Sequence, residues 1–227
     1  MRYDAVIFDL FGTLIYNRPW GDAMNAAVAA SLGGPVDGFR REWAKTGRQR
    51  TIGAYASVGE NVEEVCRTLG VAIRPEQVER AVAIRLDYTR RNFTPKDGAL
   101  ELLRRLRVTG LKLGLLSNCT PEIPLLWPET PLAPFFDDAV FSCVVGIAKP
   151  QPEIFELACR QITTPPVCCA YVADNADGEL DAALACGLYP IRLLPSDGEG
   201  VPDGADRWQG PAIDSLLQLL DHLEPGS

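Results

Sequence analysis

The sequence predicts an α/β fold: a doubly wound, Rossmann-like parallel sheet carrying an inserted α-helical unit. Two observations carry this reading. Four apolar runs of four to six residues alternate with stretches of helical periodicity, and each run is bounded by Gly, Pro, Asn or Asp. Strand alternating with helix implies right-handed crossovers and a mostly parallel sheet. From about residue 15 to residue 93, by contrast, helical stretches follow one another with no convincing strand. A chain of 227 residues accommodates one large domain or two small ones.

In chain order, Ala5-Val6-Ile7-Phe8 is the first buried strand, ending at Asp9. Helices are then expected at Asp22–Ser31, Gly38–Thr46, Gly59–Leu69 and Pro75–Arg91. The last begins with proline in its first turn and sets Val78, Ala81, Val82 and Leu86 on one face. Asp97–Val108 is the next helix, and Leu111–Leu116 is a strand ending at Ser117. Helix Pro152–Gln161, strand Val167–Val172 ending near Asp174, helix Glu179–Ala185 and strand Tyr189–Leu193 follow. Pro211–Leu223 reads as a closing amphipathic helix, after a mobile Gly/Pro/Asp-rich loop over Pro195–Gly210. The expected division is a core of residues 1–14 and 94–227 with a helical lid over 15–93.

Composition excludes several function classes. The formal charge is −8, so the chain lacks the basic face that nucleic-acid phosphates require. No apolar run reaches the ~18 residues of a membrane span, and Met1-Arg2-Tyr3-Asp4 reads unlike a signal peptide. A cytoplasmic protein, monomeric or homodimeric, is the expectation. Seven scattered cysteines without a CxxC pair read as free thiols in a reducing compartment. His222 alone, near the C-terminus, leaves no histidine-based nucleophilic triad. Charge is also divided: residues 15–93 carry 12 Lys+Arg against 9 Asp+Glu, and the remainder 10 against 21. A basic lid over an acidic core suits a small anionic substrate.

The chemistry lies at the strand ends, where open α/β sheets bind ligands. Asp9 is followed by Leu10-Phe11-Gly12-Thr13, a turn that can present a carboxylate nucleophile to an electrophile. Ser117-Asn118 offers a hydroxyl and an amide to an oxyanion. Lys149-Pro150 before a helix supplies a cation that can steady the nucleophile and offset phosphoryl charge. Asp174-Asn175-Ala176-Asp177-Gly178-Glu179 clusters acids that need solvent or a metal, and Mg²⁺ favours hard oxygen ligands.

In this order and spacing the residues resemble the haloacid dehalogenase superfamily of hydrolases, in the branch with a helical cap after the first motif. The resemblance runs over essentially the whole chain. It implies that Asp9 is the nucleophile and that Thr13 is the hydroxyl touching substrate and loop. Ser117 and Lys149 match the second and third motifs, the latter within Gly146-Ile147-Ala148-Lys149-Pro150 and ahead of Pro152-Glu153-Ile154-Phe155. Asp174 and Glu179 fit the fourth, with Gly187 beyond. Asp9, Thr13 and Lys149 become the catalytic set; Ser117, Asn118, Phe11 and Gly12 surround the substrate. Mg²⁺ is the implied cofactor, held by Asp9, the Phe11 carbonyl, Asp174 and Glu179.

Phe11 departs from the pattern. The family's phosphatases usually carry a second Asp there, which protonates the leaving group and then activates water. The family's haloacid dehalogenases have an aromatic residue at that place and need no metal, but their fourth motif is rich in Ser and Asn rather than acid. Thr120-Pro121-Glu122 leans toward them as well. The leading expectation is a Mg²⁺-dependent hydrolase of a small phosphorylated substrate. The alternatives are a metal-independent 2-haloacid dehalogenase, with Arg40, Arg41 or Arg48 holding the substrate anion, and a weakly active binding or regulatory member.

Overall fold

The computed structural model describes residues 3–17, 21–176, 178–196 and 207–223. The strands are β1 (Ala5–Phe8), β2 (Lys112–Ser117), β3 (Asp138–Phe141), β4 (Cys169–Ala173), β5 (Tyr189–Leu193) and β6 (Ala212–Ile213). They form one parallel sheet in the order β3-β2-β1-β4-β5-β6. Strand β1 pairs with β2 on one side and β4 on the other. Alternation along it serves both faces. Val6 and Phe8 join a core with Leu102, Leu103 and Leu106 of α6 (Ala99–Val108). Ala5 and Ile7 join a second core with Ile154 and Phe155 of α9 (Pro152–Gln161) and Leu180 of α10 (Glu179–Ala185). A doubly wound sheet results, and its crevice lies at the carboxyl ends of β2, β1 and β4.

Among the described residues, 21–92 hold five helices and no strand: α1 (Gly21–Leu32), α2 (Val36–Lys45), α3 (Gly47–Thr51), α4 (Val58–Thr68) and α5 (Pro75–Asn92). They bury an apolar cluster of their own around Met24, Val28, Phe39, Trp43, Val62 and Val65. Helix α4 is started by Ser57, whose hydroxyl accepts from the Glu60 amide at 3.1 Å, while Glu60 Oε2 accepts from the Ala56 amide. The chain leaves the sheet layer and returns to it side by side. The Tyr16 amide donates to Thr94 O at 3.0 Å and the Lys96 amide to Leu14 O at 2.8 Å.

Two contacts stand out among those that seat the helical unit on the core, which also include the exposed pair Arg90–Glu129 at 3.1 Å. Arg85 of α5 donates through Nε to Glu122 Oε1 at 2.5 Å, Glu122 being the first residue of α7 (Glu122–Leu126). The Trp43 ring meets the guanidiniums of Arg50 and Arg85, 4.2 and 3.8 Å from its centre. The second contact is at Gly53, whose φ of +67° favours glycine; a Cβ there would stand 2.2 Å from the carbonyl oxygen of Cys143.

Three expectations are corrected. Pro211–Leu223 is not one helix: Ala212–Ile213 adds β6 beside β5, Leu216–Gln218 is a 3₁₀ turn, and α11 is only Leu219–Leu223. Pairing with Arg192 and Leu193 outweighs the helical periodicity of so short a segment. The edge strand β3 was not expected, because Asp138-Ala139-Val140-Phe141 is brief and its first two positions are only half-buried. The third core strand begins at Cys169 rather than Val167, which is exposed in the 3₁₀ turn Pro166–Cys168. Asp177 and most of the loop Pro195–Gly210 lie outside the described residues. No described helix is long and apolar enough to cross a membrane.

Candidate active site

Asp9 follows β1, Ser117 ends β2 and Asp174 follows β4, so three adjacent strands deliver them to one edge of the sheet. The turn after Asp9 is closed by the Leu14 amide donating to Leu10 O and the Gly12 amide donating to Ile15 O, both at 2.9 Å. Thr13, fully buried, donates from Oγ1 to Asp9 Oδ2 at 3.0 Å and accepts from the Asp174 amide at 3.1 Å. One hydroxyl thus ties the first and fourth motifs together. Gly12 has φ +74°, and a Cβ there would stand 2.0 Å from Asp174 Oδ2. Only glycine lets the turn pass this close to that carboxylate.

Lys149 enters from the loop before α9. Its Nζ donates to Asp9 Oδ1 at 2.5 Å and also contacts Glu179 Oε2 and, at 3.2 Å, the Tyr171 hydroxyl. Tyr171 in turn donates to Glu179 Oε2 at 2.7 Å. Burial works against the lysine's charge, but Asp9 and Glu179 carry its pKa well above the ordinary value, so it is a fixed cation. Carboxylate oxygens of Asp9, Asp174 and Glu179 lie within 4.8 Å of one another, all buried. Burial, with the charge of Asp9, pushes Asp174 up to about 7; burial and Asp9 push Glu179 up to about 8 despite Lys149. Three buried acids face Lys149, with Lys96 adding a positive field at Asp174, and remain short of positive charge, which a bound cation or a proton supplies. This all-oxygen donor set is the kind Mg²⁺ takes.

Ser117 Oγ is fully buried and, apart from the neighbouring Cys119 thiol, has no hydrogen-bond partner among the described residues, which suits a donor to an oxyanion. The expectation that Asn118 offers its amide to that oxyanion meets a different arrangement. Asn118 Nδ2 donates to Lys149 O at 3.0 Å, and the Lys149 amide donates to Asn118 Oδ1 at 2.9 Å. Asn118 therefore braces the lysine's backbone across two loops. Phe11 is half-buried and packs on the apolar core below the sheet edge, and its side chain brings no proton to the site.

Of the three arginines of the helical unit, Arg48 lies beside the core, in a 360 Å³ pocket lined also by Thr51, Ile52, Asn118 and Lys149. Arg40 donates to Asp22 O, and Arg41 is exposed. Sequence reasoning missed Tyr171 and Lys96. Tyr171 is a fully buried phenol in an otherwise apolar strand, a signal that its hydroxyl has a polar partner. Lys96, also buried, adds a positive field at Asp174, and nothing in its local pattern marks it out.

A parallel sheet with an aspartate after its first strand, a hydroxyl, a lysine and an acid pair at the neighbouring strand ends defines a hydrolase with a carboxylate at its centre. A family model for haloacid dehalogenase-like hydrolases matches residues 3–187, and the chain belongs to that family. It is 26% identical to a glyceraldehyde 3-phosphate phosphatase of Methanopyrus kandleri, over 96% of this chain and 95% of that one. It is equally 26% identical to an (S)-2-haloacid dehalogenase of Pseudomonas putida, over 96% of each chain. Among solved structures, a 2-haloacid dehalogenase from Pseudomonas syringae pv. Tomato shares the fold with a TM-score of 0.75 at 22% identity, covering 97% of this chain and 98% of that one.

Proposed function

We propose that this hydrolase is a Mg²⁺-dependent phosphatase of small phosphorylated substrates that works through a phosphorylated Asp9. The single observation that carries the reading is the excess of buried acid over buried base at Asp9, Asp174 and Glu179. A metal-free dehalogenase has no use for such a cluster. Asp9, Asp174, the Phe11 carbonyl and the free oxygen of Glu179 would hold Mg²⁺, which when bound neutralises phosphoryl charge.

Asp9 attacks phosphorus, a carboxylate–phosphorus bond forms, and the substrate oxygen leaves with the bonding pair. Lys149 holds Asp9 in place and offsets negative charge, while Ser117 Oγ donates to a phosphoryl oxygen. Thr13 keeps the Asp9 carboxylate facing the crevice. Water then attacks the phosphoryl-Asp9 and phosphate leaves. In this reading residues 15–93 are a cap over residues 1–14 and 94–227, and its surplus of basic residues draws in the anionic substrate.

The opposing reading is a 2-haloacid dehalogenase, in which Asp9 displaces halide from carbon. Phe11 favours it, as does Arg48 beside Lys149. Phosphate release from aryl phosphates and halide release from 2-chloropropionate, each with Mg²⁺ and with chelator, separate the two. Mg²⁺-dependent phosphate release, lost in Asp9→Asn by at least about 10³-fold with the fold retained, supports the proposal. Halide release in excess chelator sinks it.

A further inference from the structure

Cys119 and Cys143 lie on two neighbouring core segments, the second of which meets Gly53 of the helical unit. Cys119 stands two residues beyond Ser117, on the loop that leaves β2. Cys143 is the second residue of α8 (Ser142–Val145), which follows β3. Their sulfurs are 3.9 Å apart, in van der Waals contact. Ser142 fastens the two segments, its Oγ accepting from the Cys119 amide at 3.0 Å. Cys119 is buried, whereas Cys143 is half-buried and lines a 990 Å³ groove along the seam with Tyr55, Val82 and Leu125. A small oxidant can therefore reach Cys143 from solvent. Burial pushes the Cys119 thiol up, while its contact with Cys143 pulls the Cys143 thiol down, so Cys143 is the better nucleophile of the two. The Cys143 carbonyl is also the surface on which Gly53 of the helical unit rests.

We propose that Cys119 and Cys143 are a peroxide-oxidisable dithiol that closes to a disulfide and, by drawing the Ser117 loop and the Gly53 seat together, lowers turnover. The Cys143 thiolate attacks one oxygen of hydrogen peroxide and breaks the O–O bond; hydroxide leaves, takes the thiol proton and becomes water. The Cys119 sulfur then attacks the sulfenic sulfur, and the displaced hydroxide takes the Cys119 proton. Two thiols are oxidised and one peroxide is reduced to two waters. Cys159 and Cys169 are also 3.9 Å apart but both are buried, which makes them the internal comparison.

The test is native-state oxidation of the full chain with hydrogen peroxide, alkylation of remaining thiols, and peptide mapping. Cleavage after glutamate is needed, because Glu122 and Glu129 separate Cys119 from Cys143, and Glu153 and Glu156 separate Cys143 from Cys159. The expected result is a Cys119–Cys143 linked peptide with the loss of two hydrogens, absent in Cys143→Ser. Aryl phosphate turnover should fall about tenfold or more and recover with dithiothreitol, as for a site displaced by a fraction of an ångström or more. Cys143→Ser should keep its turnover through the same treatment. In Cys119→Ala, Cys143 should be trapped as a sulfenic acid by a dimedone-type probe. A linked peptide at Cys159–Cys169 alone, or sulfinic acid at Cys143 without a link, overturns the proposal. So does a linked protein with unchanged turnover. The turnover arm rests on the phosphatase reading: if the reduced protein hydrolyses nothing, that reading fails and the linked peptide alone decides.

Discussion

Arg85 of the helical unit and Glu122 of the core form a buried ion pair, Nε to Oε1 at 2.5 Å, at the start of α7, just beyond the loop that follows Ser117. Glu122 is buried, and Arg85 is its charged partner. Burial alone would raise the pKa of Glu122, but Arg85 and the Thr120 hydroxyl bring it below the ordinary carboxylate value.

Breaking that pair should cost more than replacing it. Arg85→Gln leaves a buried carboxylate without its cation and should lower stability by about 3–5 kcal/mol. Adding Glu122→Gln should recover part of that loss, which urea denaturation of the four proteins in the cycle measures. Because the folded pKa of Glu122 is depressed, its contribution is present above the unfolded value of about 4 and fades as pH falls through the folded value. Acid titration below that range should therefore cost the wild type more than the double variant. Strictly additive losses would mean the two side chains are energetically independent.

Mg²⁺ should compete with protons at the acid cluster. With Asp174 near 7 and Glu179 near 8, the metal-free folded protein holds protons that the unfolded chain releases near 4. Its stability should thus drift down as pH rises from about 4 toward 8. On the proposed reading Mg²⁺ takes the deprotonated acids, so its stabilising effect should be small at pH 6 and large at pH 8. Thermal melts over a Mg²⁺ series at both pH values read this directly, and Asp174→Ala should remove the response. Equal gains at the two pH values would mean that protons do not occupy the ligand oxygens.

Phe11 bears on which substrates react. General acid catalysis contributes about 10²–10⁴-fold, and a phenyl ring supplies none of it. A leaving group that departs as a stable anion needs little help, so aryl and acyl phosphates should react much faster than alkyl phosphates. Hydrolysis of the phosphorylated Asp9 should be slow for want of a base, giving a burst with good leaving groups. Phe11→Asp should raise alkyl phosphatase activity. Rapid-quench rates that are equal for aryl and alkyl substrates would show that another residue delivers the proton.

Gly12 should tolerate no side chain. In Gly12→Ala the new Cβ meets Asp174 Oδ2 at 2.0 Å, and the positive φ adds strain of about 1 kcal/mol or more. Stability should fall, and the Mg²⁺ response should weaken because Asp174 is the group that must yield. A melting curve and Mg²⁺ response like those of wild type would show that the turn relaxes freely.

Much of the fold was legible because its signals are local. Helices Pro152–Gln161 and Glu179–Ala185 and strands Ala5–Phe8 and Tyr189–Leu193 have the bounds their periodicity and flanking residues imply. β3 and β6 were not, because one is half-buried at its start and the other is two residues held only by its neighbour. Asp9, Ser117 and Asp174 stood out as polar residues at the ends of apolar runs, and Lys149 as a cation ahead of a helix. Their convergence follows once the strand order is known.

Sequence by itself determined which polar side chains stand at the strand ends, since strand-end position and residue type are written along the chain. Only the tertiary structure decided how they share their bonds. Asn118 turns to the Lys149 backbone, Tyr171 reaches Glu179 from inside a strand, and Arg85 meets Glu122 across 37 positions. A hydrogen bond needs its atoms within about 3 Å, and the partner that meets this condition is set by packing between distant segments, not by any local pattern.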